Sequence, residues 1–417
     1  MSLNKSELVS AIAGKAELSK ADAEKFKTAG QTMRAGYSYH NQWWIPHDRD
    51  GTFEMKGLNG QHMHINPAAE LVIVKLSSHP VGDTSFTHEA DRRAFAAIVH
   101  RHEALRTTFA RVDGNPVQVV APQTGIDIPL LDLSHLADDE REARLGAFAA
   151  EEAARPFDLA AGPLVRVRLA RLAEDEHALL LFVHHAVADG WSIAVLYREL
   201  SALYGAFVRG QEDPLPPLPI QYPDFAAWQR RNLDGARLDA QLEWWRGRLS
   251  GLPELLELPA DRPRPAAASG RGALLPVRIP RELADALRET SRREGATLFM
   301  TMLAGFGALL HRYTGEADFA VGTPVSGRNR PETEPLIGMF VNTLVLRADL
   351  SGDPGFREVL RRAREVTLGA YEHQAVPFER LVAELQPERS LSHSPLFQVM
   401  FALQNAVDRG VALAGLE

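Results

Sequence analysis

Cysteine is absent from all 417 residues. That excludes disulfide bridges, thiolate nucleophiles and Cys-ligated zinc or iron–sulfur sites. It also fits a reducing cytoplasm, the compartment expected here. No run of 18 or more apolar residues occurs, so no transmembrane helix is predicted. The opening MSLNKSELVSAIAGKAELSK scatters its charges and has no apolar centre, so it is not read as a signal peptide. Positive charge is in deficit, with 46 Lys+Arg against 54 Asp+Glu and a net charge of −8. A general nucleic-acid binder would carry a basic stripe, whereas docking to another protein depends on local patches and stays open. There is no G-x-S-x-G elbow, no P-loop and no G-x-G-x-x-G fingerprint, so serine-hydrolase and nucleotide chemistry lack support. What is present is ordinary globular composition, 45% hydrophobic and 24% charged, in a chain long enough for two or three domains.

Residues 1–36 are predicted to be helical. Ser6 can cap a turn that places Leu8, Ile12 and Ala16 on one face, and Ser19 can cap a second short helix. Residues 1–25 resemble the N-terminal helices of histone-like HU proteins, but the DNA-gripping β-arms of that family have no counterpart here, so no nucleic-acid partner is expected. In residues 37–66, His40, His47, His62 and His64 lie near Asp48 and Asp50. Their spacing matches no metal-ligand pattern, and they are read as polar loop with no metal site.

From residue 67 the pattern becomes regular α/β. Strands are predicted at Leu71–Leu76, Leu105–Val112, Val117–Val120 after a Gly114-Asn115-Pro116 turn, Val165–Leu172 and Ala178–Val183. Helices are predicted at Glu89–Val99, with Phe95, Ile98 and Val99 inward, and at Trp191–Val208, with Ile193, Leu196, Leu200, Leu203 and Phe207 on one stripe. Pro-rich stretches at 213–223 and 258–272 bracket a helix around Leu238–Leu249, and the second is the better linker. Beyond it come a strand at Leu274–Ile279, a helix at Thr297–Tyr313, strands at Asp318–Thr323 and Phe340–Ala348, and a helix at Pro354–Tyr371. The expected division is an N-terminal extension over 1–66, one lobe over 67–257 and a second over 258–417.

The chemistry concentrates in Val183-His184-His185-Ala186-Val187-Ala188-Asp189-Gly190-Trp191-Ser192. It joins a buried apolar strand to a helix. Successive residues at a strand end face opposite sides, so His184 and His185 should do different work, one toward the core and one toward a cleft. Asp189 or Ser192 can cap the helix. The positive end of the helix dipole disfavours a second positive charge nearby, and a neutral imidazole can accept a proton from an incoming nucleophile.

The chain resembles the condensation domains of non-ribosomal peptide synthetases, in the chloramphenicol-acetyltransferase-like superfamily. Six motifs carry the likeness, in family order: Arg101-His102-Glu103-Ala104-Leu105-Arg106-Thr107-Thr108-Phe109, His184–Ser192, Tyr222–Trp228, Ile337–Thr343, His373–Glu379 and Ser394–Met400. The resemblance covers roughly residues 67–417. The family's first motif, S-x-A-Q-x-R-L-W, has no counterpart before residue 67. Ala375 stands where an acid is usual, and Arg389-Ser390-Leu391-Ser392-His393 replaces R-D-x-S-R.

The resemblance implies an α/β (α+β) fold of two acetyltransferase-like lobes, a V-shaped pseudo-dimer with a central tunnel. It implies amide formation between donor and acceptor aminoacyl thioesters. Both would arrive on the phosphopantetheine arms of carrier proteins, with no cofactor bound by the chain itself and an adenylation domain as a possible neighbour. His185 would act on the acceptor amine, by orienting it, accepting its proton or stabilising the tetrahedral species. Gly190 would offer its N–H to the reacting group, and His184 would be structural. Asp189 would pair with an arginine, Arg328 first and Arg106 second. Ser192 would support the loop, and Asn342 would satisfy backbone at a lobe crossing. The competing readings are epimerisation, acyl transfer from acyl-CoA, and a non-catalytic platform that docks carriers or recruits another enzyme. Trp191 before Ser192 and Ile193 after it favour condensation over epimerisation.

Overall fold

The computed structural model describes residues 37–40, 43–46, 53–56, 62–66, 71–77 and 84–88 by their backbone, and 89–122, 125–174, 176–268, 275–387 and 390–403 in full. The helices expected in residues 1–36, and the side chains of His40, His47, His62, His64, Asp48 and Asp50, lie outside the described residues.

The first lobe is built on β1 (Tyr37–His40), β2 (Trp43–Pro46), β3 (Phe53–Lys56), β4 (His62–Asn66), β5 (Leu71–Ser77), β8 (Leu130–Asp132), β9 (Val165–Arg171) and β10 (Glu176–Val183). They form one sheet in the order β1-β2-β3-β4-β5-β10-β9-β8. Every pairing is antiparallel except β8 with β9. In β10, Leu180 faces Ile73 on one side and Arg168 on the other. Its apolar run is buried on both faces, and the period-2 alternation divides it cleanly. Leu179, Leu181 and Val183 meet α1 (Thr84–Arg101) and α3 (Gly190–Val208), around Phe95, Ile98, Leu200 and Leu203. Ala178, Leu180 and Phe182 meet Ala149 of α2 (Asp138–Ala154) in a second layer. Full burial of each leucine stabilises the lobe by about 1.5–3 kcal/mol.

A separate hairpin, β6 (Thr107–Val112) with β7 (Asn115–Val120), turns at Asp113-Gly114. Both turn residues have positive φ, 51° and 80°. The turn therefore falls one residue before the expected Gly114-Asn115-Pro116, because an Asp-Gly pair matches the twist of a two-residue hairpin.

The chain crosses between lobes on α4 (Tyr222–Asn232), opened by a capping box of Gln221 and Asp224. It continues into α5 (Gly235–Leu249), capped by Asp234. Leu242, Trp245 and Leu249 of α5, with Leu256, pack into the second core rather than the first. The second lobe therefore draws on residues well before 258. The 213–223 stretch runs into α4 at Tyr222, and residues 258–268 of the linker follow Leu256 of the second core.

That second core gathers α7 (Leu298–Thr314), β11 (Asp318–Val325), β12 (Asn342–Asp349), α8 (Phe356–Glu372) and α9 (Phe378–Leu385), and α6 (Arg281–Arg293) lies against α7 outside it. Thr297 caps α7, and Gly315 closes it in the left-handed region at φ 78°. β11 and β12 pair antiparallel, and Met400 adds a single parallel bridge at Gly322. The strand expected at Leu274–Ile279 does not form over the described residues 275–280. Leu275 and Val277 are 78% and 73% exposed. Alternating apolar residues make a strand only where a sheet edge receives them, and Pro276 has no N–H to donate to a ladder. Among the described residues, no helix is long and apolar enough to cross a membrane.

Candidate active site

β10 delivers the motif. Its last residue, Val183, is buried, His184 is half-buried and His185 is exposed. The His184 N–H donates to Leu164 O at 2.9 Å, its Nδ1 accepts from Ala186 N at 3.0 Å, and its ring meets Phe157 edge-on at 5.8 Å. One histidine is thus tied into the loop while the next is presented outward, the division that strand alternation predicts.

Asp189 is sealed. It is 5% exposed and caps α3, its Oδ1 accepting from Ser192 N at 2.9 Å. The same oxygen lies 2.7 Å from Ser192 Oγ and 3.0 Å from Arg328 Nη2, and Oδ2 accepts from Phe340 N at 3.0 Å. With four donors on its two oxygens, this carboxylate is built to hold structure. Arg328, 7% exposed, donates from Nη1 to Thr333 O and Leu336 O, and lies 4.0 Å over the Phe340 ring. Burial lowers the Arg328 guanidinium from its ordinary range, and the Asp189 charge opposes that shift.

Residues 336–340 of the second lobe form a strap behind the motif. First-lobe and crossing side chains grip its backbone at successive positions. Ser192 Oγ accepts from Gly338 N at 3.0 Å and lies 2.9 Å from Gly338 O. Tyr222 donates its hydroxyl to Met339 O at 2.7 Å, and Phe340 N reaches Asp189. Burial, and after it the Asp189 charge, push the Tyr222 phenol up to about 12, so it remains a donor. The fit is close. A Cβ on Gly338 would fall 2.2 Å from the Tyr222 ring, and one on Gly327, where φ is 65°, would fall 1.9 Å from Phe340 O. Trp191 is 47% exposed, with its ring nitrogen donating to Glu334 O.

Two expected site residues sit elsewhere. Arg106 donates to Ala121 O and to Glu103 Oε1, away from Asp189. Its position in the turn after α1 already supplies local acceptors, so Arg328 alone of the two candidates pairs with Asp189. Asn342 does not satisfy a lobe crossing. Its amide donates to Gln374 O and Val376 O, and its oxygen accepts from Phe378 N, all within the second lobe. It ties the start of β12 to the start of α9. Gly190 has open space where a Cβ would stand and no positive φ, so nothing in the fold itself demands glycine there.

The sequence reading missed the strap as a unit, the Tyr222 hydroxyl, and the buried pair His102–Glu199, whose nitrogen and oxygen lie 2.7 Å apart. His102 and Tyr222 stand inside motifs already singled out, but their partners are 97 and 117 residues distant, and spacing carries no signal over that range. A cavity of about 650 Å³ lies among Arg248, Asp318, Arg347, Glu358 and Arg361 in the second lobe, with no motif residue in its lining. Among the described residues, no group of three or more His, Asp or Glu is placed to hold a metal.

Comparison with known proteins adds the following. The family model described as "Condensation domain" matches residues 82–412. A linear gramicidin synthase of Brevibacillus parabrevis is 53% identical over 313 residues, which is 75% of this chain and 6% of that protein. Malpinin synthetase of Mortierella alpina is 47% identical over 324 residues, which is 78% of this chain and 4% of that protein. The chain therefore spans only a small part of the length of these relatives. Among solved structures, the X-domain from teicoplanin biosynthesis is 32% identical with a TM-score of 0.74, over 83% of this chain and 76% of that one. The first condensation domain of the calcium-dependent antibiotic synthetase, in complex with a substrate analogue, is 25% identical with a TM-score of 0.60, over 84% and 79%.

Proposed function

The chain belongs to the condensation-domain family of non-ribosomal peptide synthetases, in the chloramphenicol-acetyltransferase-like superfamily, and on that premise we propose that it joins a donor aminoacyl or peptidyl thioester to an acceptor aminoacyl thioester. Both substrates are carried on the phosphopantetheine arms of partner carrier proteins, which enter a tunnel between the two lobes from opposite mouths. The acceptor nitrogen attacks the donor carbonyl carbon to give a tetrahedral species. The C–S bond then breaks, the amide forms, and the donor arm leaves as a thiol with the proton released by the amine. A thioester is already activated, so positioning supplies much of the acceleration.

The observation that carries this reading is the split within one loop. His185 is exposed at the end of a buried strand, while Asp189 four residues later is locked by Arg328, Ser192 and the strap. The locked half fixes the backbone. The presented half is an imidazole able to orient the amine and take its proton. Gly190, first in α3, offers its N–H at the helix start. His184 and Ser192 act by holding the loop. Incubation with donor- and acceptor-loaded carriers, read by intact mass, tests the reaction. His185→Ala should lower turnover by about 10²–10⁴-fold, the usual size of a general acid–base contribution. Unchanged turnover in that variant defeats the assignment.

A second reading has one observation in its favour. A solved complex of the teicoplanin X-domain with OxyB is 32% identical to this chain with a TM-score of 0.72, which suggests a platform that recruits another enzyme. The intact His184-His185 and Asp189-Gly190 pairs favour catalysis. Tight binding of carriers without turnover on any loaded substrate would reverse that preference.

A further inference from the structure

We propose that His102 is a positioning residue that couples the seat of α3 to the 336–340 strap. It is 1% exposed, at the turn that follows α1. Ile337 N donates to its Nδ1 at 3.2 Å, and its Nε2 lies 2.7 Å from Glu199 Oε2. A ring nitrogen that accepts a hydrogen bond carries no hydrogen, so the proton sits on Nε2 and points at Glu199. The other Glu199 oxygen accepts from Arg101 Nε at 3.1 Å. Burial pushes the Glu199 carboxyl up, but the hydrogen bond from His102 and the charge and hydrogen bond of Arg101 outweigh it and hold the group below its ordinary range. Gln221, at the start of α4, clasps the backbone on both sides of the ring. It donates to Arg101 O at 2.9 Å and accepts from Glu103 N at 3.0 Å. The imidazole is held in one orientation and one tautomer by Glu199 of α3 and the Ile337 amide of the strap, with Gln221 of α4 fixing the backbone beside it.

The geometric consequence concerns leverage. Ser192 and Glu199 stand on the same helix, seven residues apart, about 10 Å along its axis. At one point α3 grips the strap directly, through Asp189 and Ser192 on Phe340 and Gly338. At the other it grips through His102 on Ile337. The direct grip holds residues 338–340, and His102 adds an attachment on Ile337 that reaches α3 about 10 Å further along its axis. His102 thereby braces the angle at which the second lobe lies behind the motif loop. Its effect on turnover rests on the condensation reading, but the coupling itself does not.

Two substitutions divide the ring. Counting bonds from the backbone, Asn places its oxygen where Nδ1 stands and nothing at Nε2, while Gln places its amide near Nε2 and no acceptor at Nδ1. His102→Asn thus keeps the acceptor for Ile337, and His102→Gln keeps the donor to Glu199. Hydrogen exchange at the Ile337 amide should quicken about tenfold in His102→Gln, as for the loss of one buried hydrogen bond, and stay near wild type in His102→Asn. With loaded carriers, His102→Gln should lose kcat with KM unchanged, and His102→Asn should turn over faster than His102→Gln. Equal protection of Ile337 in the two variants, or the reverse order of kcat, overturns the proposal. A measurement without substitution guards against misfolding, namely the nitrogen-15 spectrum of the His102 ring. A bare Nδ1 with a protonated Nε2 supports the coupling, and a proton on Nδ1 overturns it. Absence of turnover in the wild type would defeat the condensation reading and leave exchange and ring spectra to judge His102.

Discussion

Asp189 and Asp91 are both buried carboxylates of the first lobe, 5% and 8% exposed, and they live in opposite circumstances. Asp189 receives two backbone N–H groups, the Ser192 hydroxyl and the Arg328 guanidinium. Asp91, on α1, receives no donor among the described residues, and burial pushes its carboxyl up to about 7. Burial also raises the Tyr204 phenol of α3, with the nearby Asp91 charge adding to the shift. The lesson is that depth does not set the state of a carboxylate. The donors that accompany it do, and the same degree of burial can fix a site or leave a titrating fault in a helix interface.

The hardest test of that contrast removes the partnered acid. Asp189→Ala strands Arg328 as a buried, unpaired cation and frees the strap, so it should cost about 3–5 kcal/mol in denaturant unfolding. A loss below about 1 kcal/mol would mean that the network is not fastening the lobes.

The other acid should behave in reverse. Folded Asp91 keeps its proton to about pH 7, while the unfolded chain releases it near the ordinary 3.8. Folding then takes up a proton, so stability is fully present below about pH 4 and falls as pH rises towards 7. Asp91→Asn should remove this dependence, giving about 2–4 kcal/mol of added stability at pH 8 and little change near pH 4. Thermal melts at the two pH values check it, and an equal shift at both would break the comparison.

Smaller effects sharpen the picture. Tyr222→Phe deletes the hydroxyl that satisfies Met339 O and should cost about 1–2 kcal/mol, with the rest of the strap intact. His185→Ala should change stability by less than about 0.5 kcal/mol, because the side chain is exposed. A large stability loss there would show that the presented histidine also holds structure.

Much of the fold is legible in the sequence. The apolar run of β10 and the heptad-like stripe of α3 fall where periodicity puts them, within one or two residues. Asp189 as a helix cap is likewise local, since its bond to Ser192 spans three residues. Arg328 stands first among the candidates for Asp189 because of the family likeness, although 139 residues separate the two. Failures come where a partner has to be supplied from elsewhere. The apolar alternation of 275–279 has no sheet edge to receive it and stays exposed. Asn342 turns to α9 instead of the other lobe, and α5 joins the second core across the expected boundary.

By itself the sequence determined what short-range physics can encode: strand alternation, helix stripes, caps, and a His-His-to-Asp-Gly spacing that puts one imidazole out and one carboxylate in. Only the tertiary structure decided which distant groups meet that carboxylate, how residues 336–340 are gripped from the first lobe, and why Asp91 meets no donor among the described residues. The reason is one of range. Hydrogen bonds and side-chain periods act over a few residues along the chain, whereas satisfying a buried charge across lobes depends on where the whole fold brings its donors.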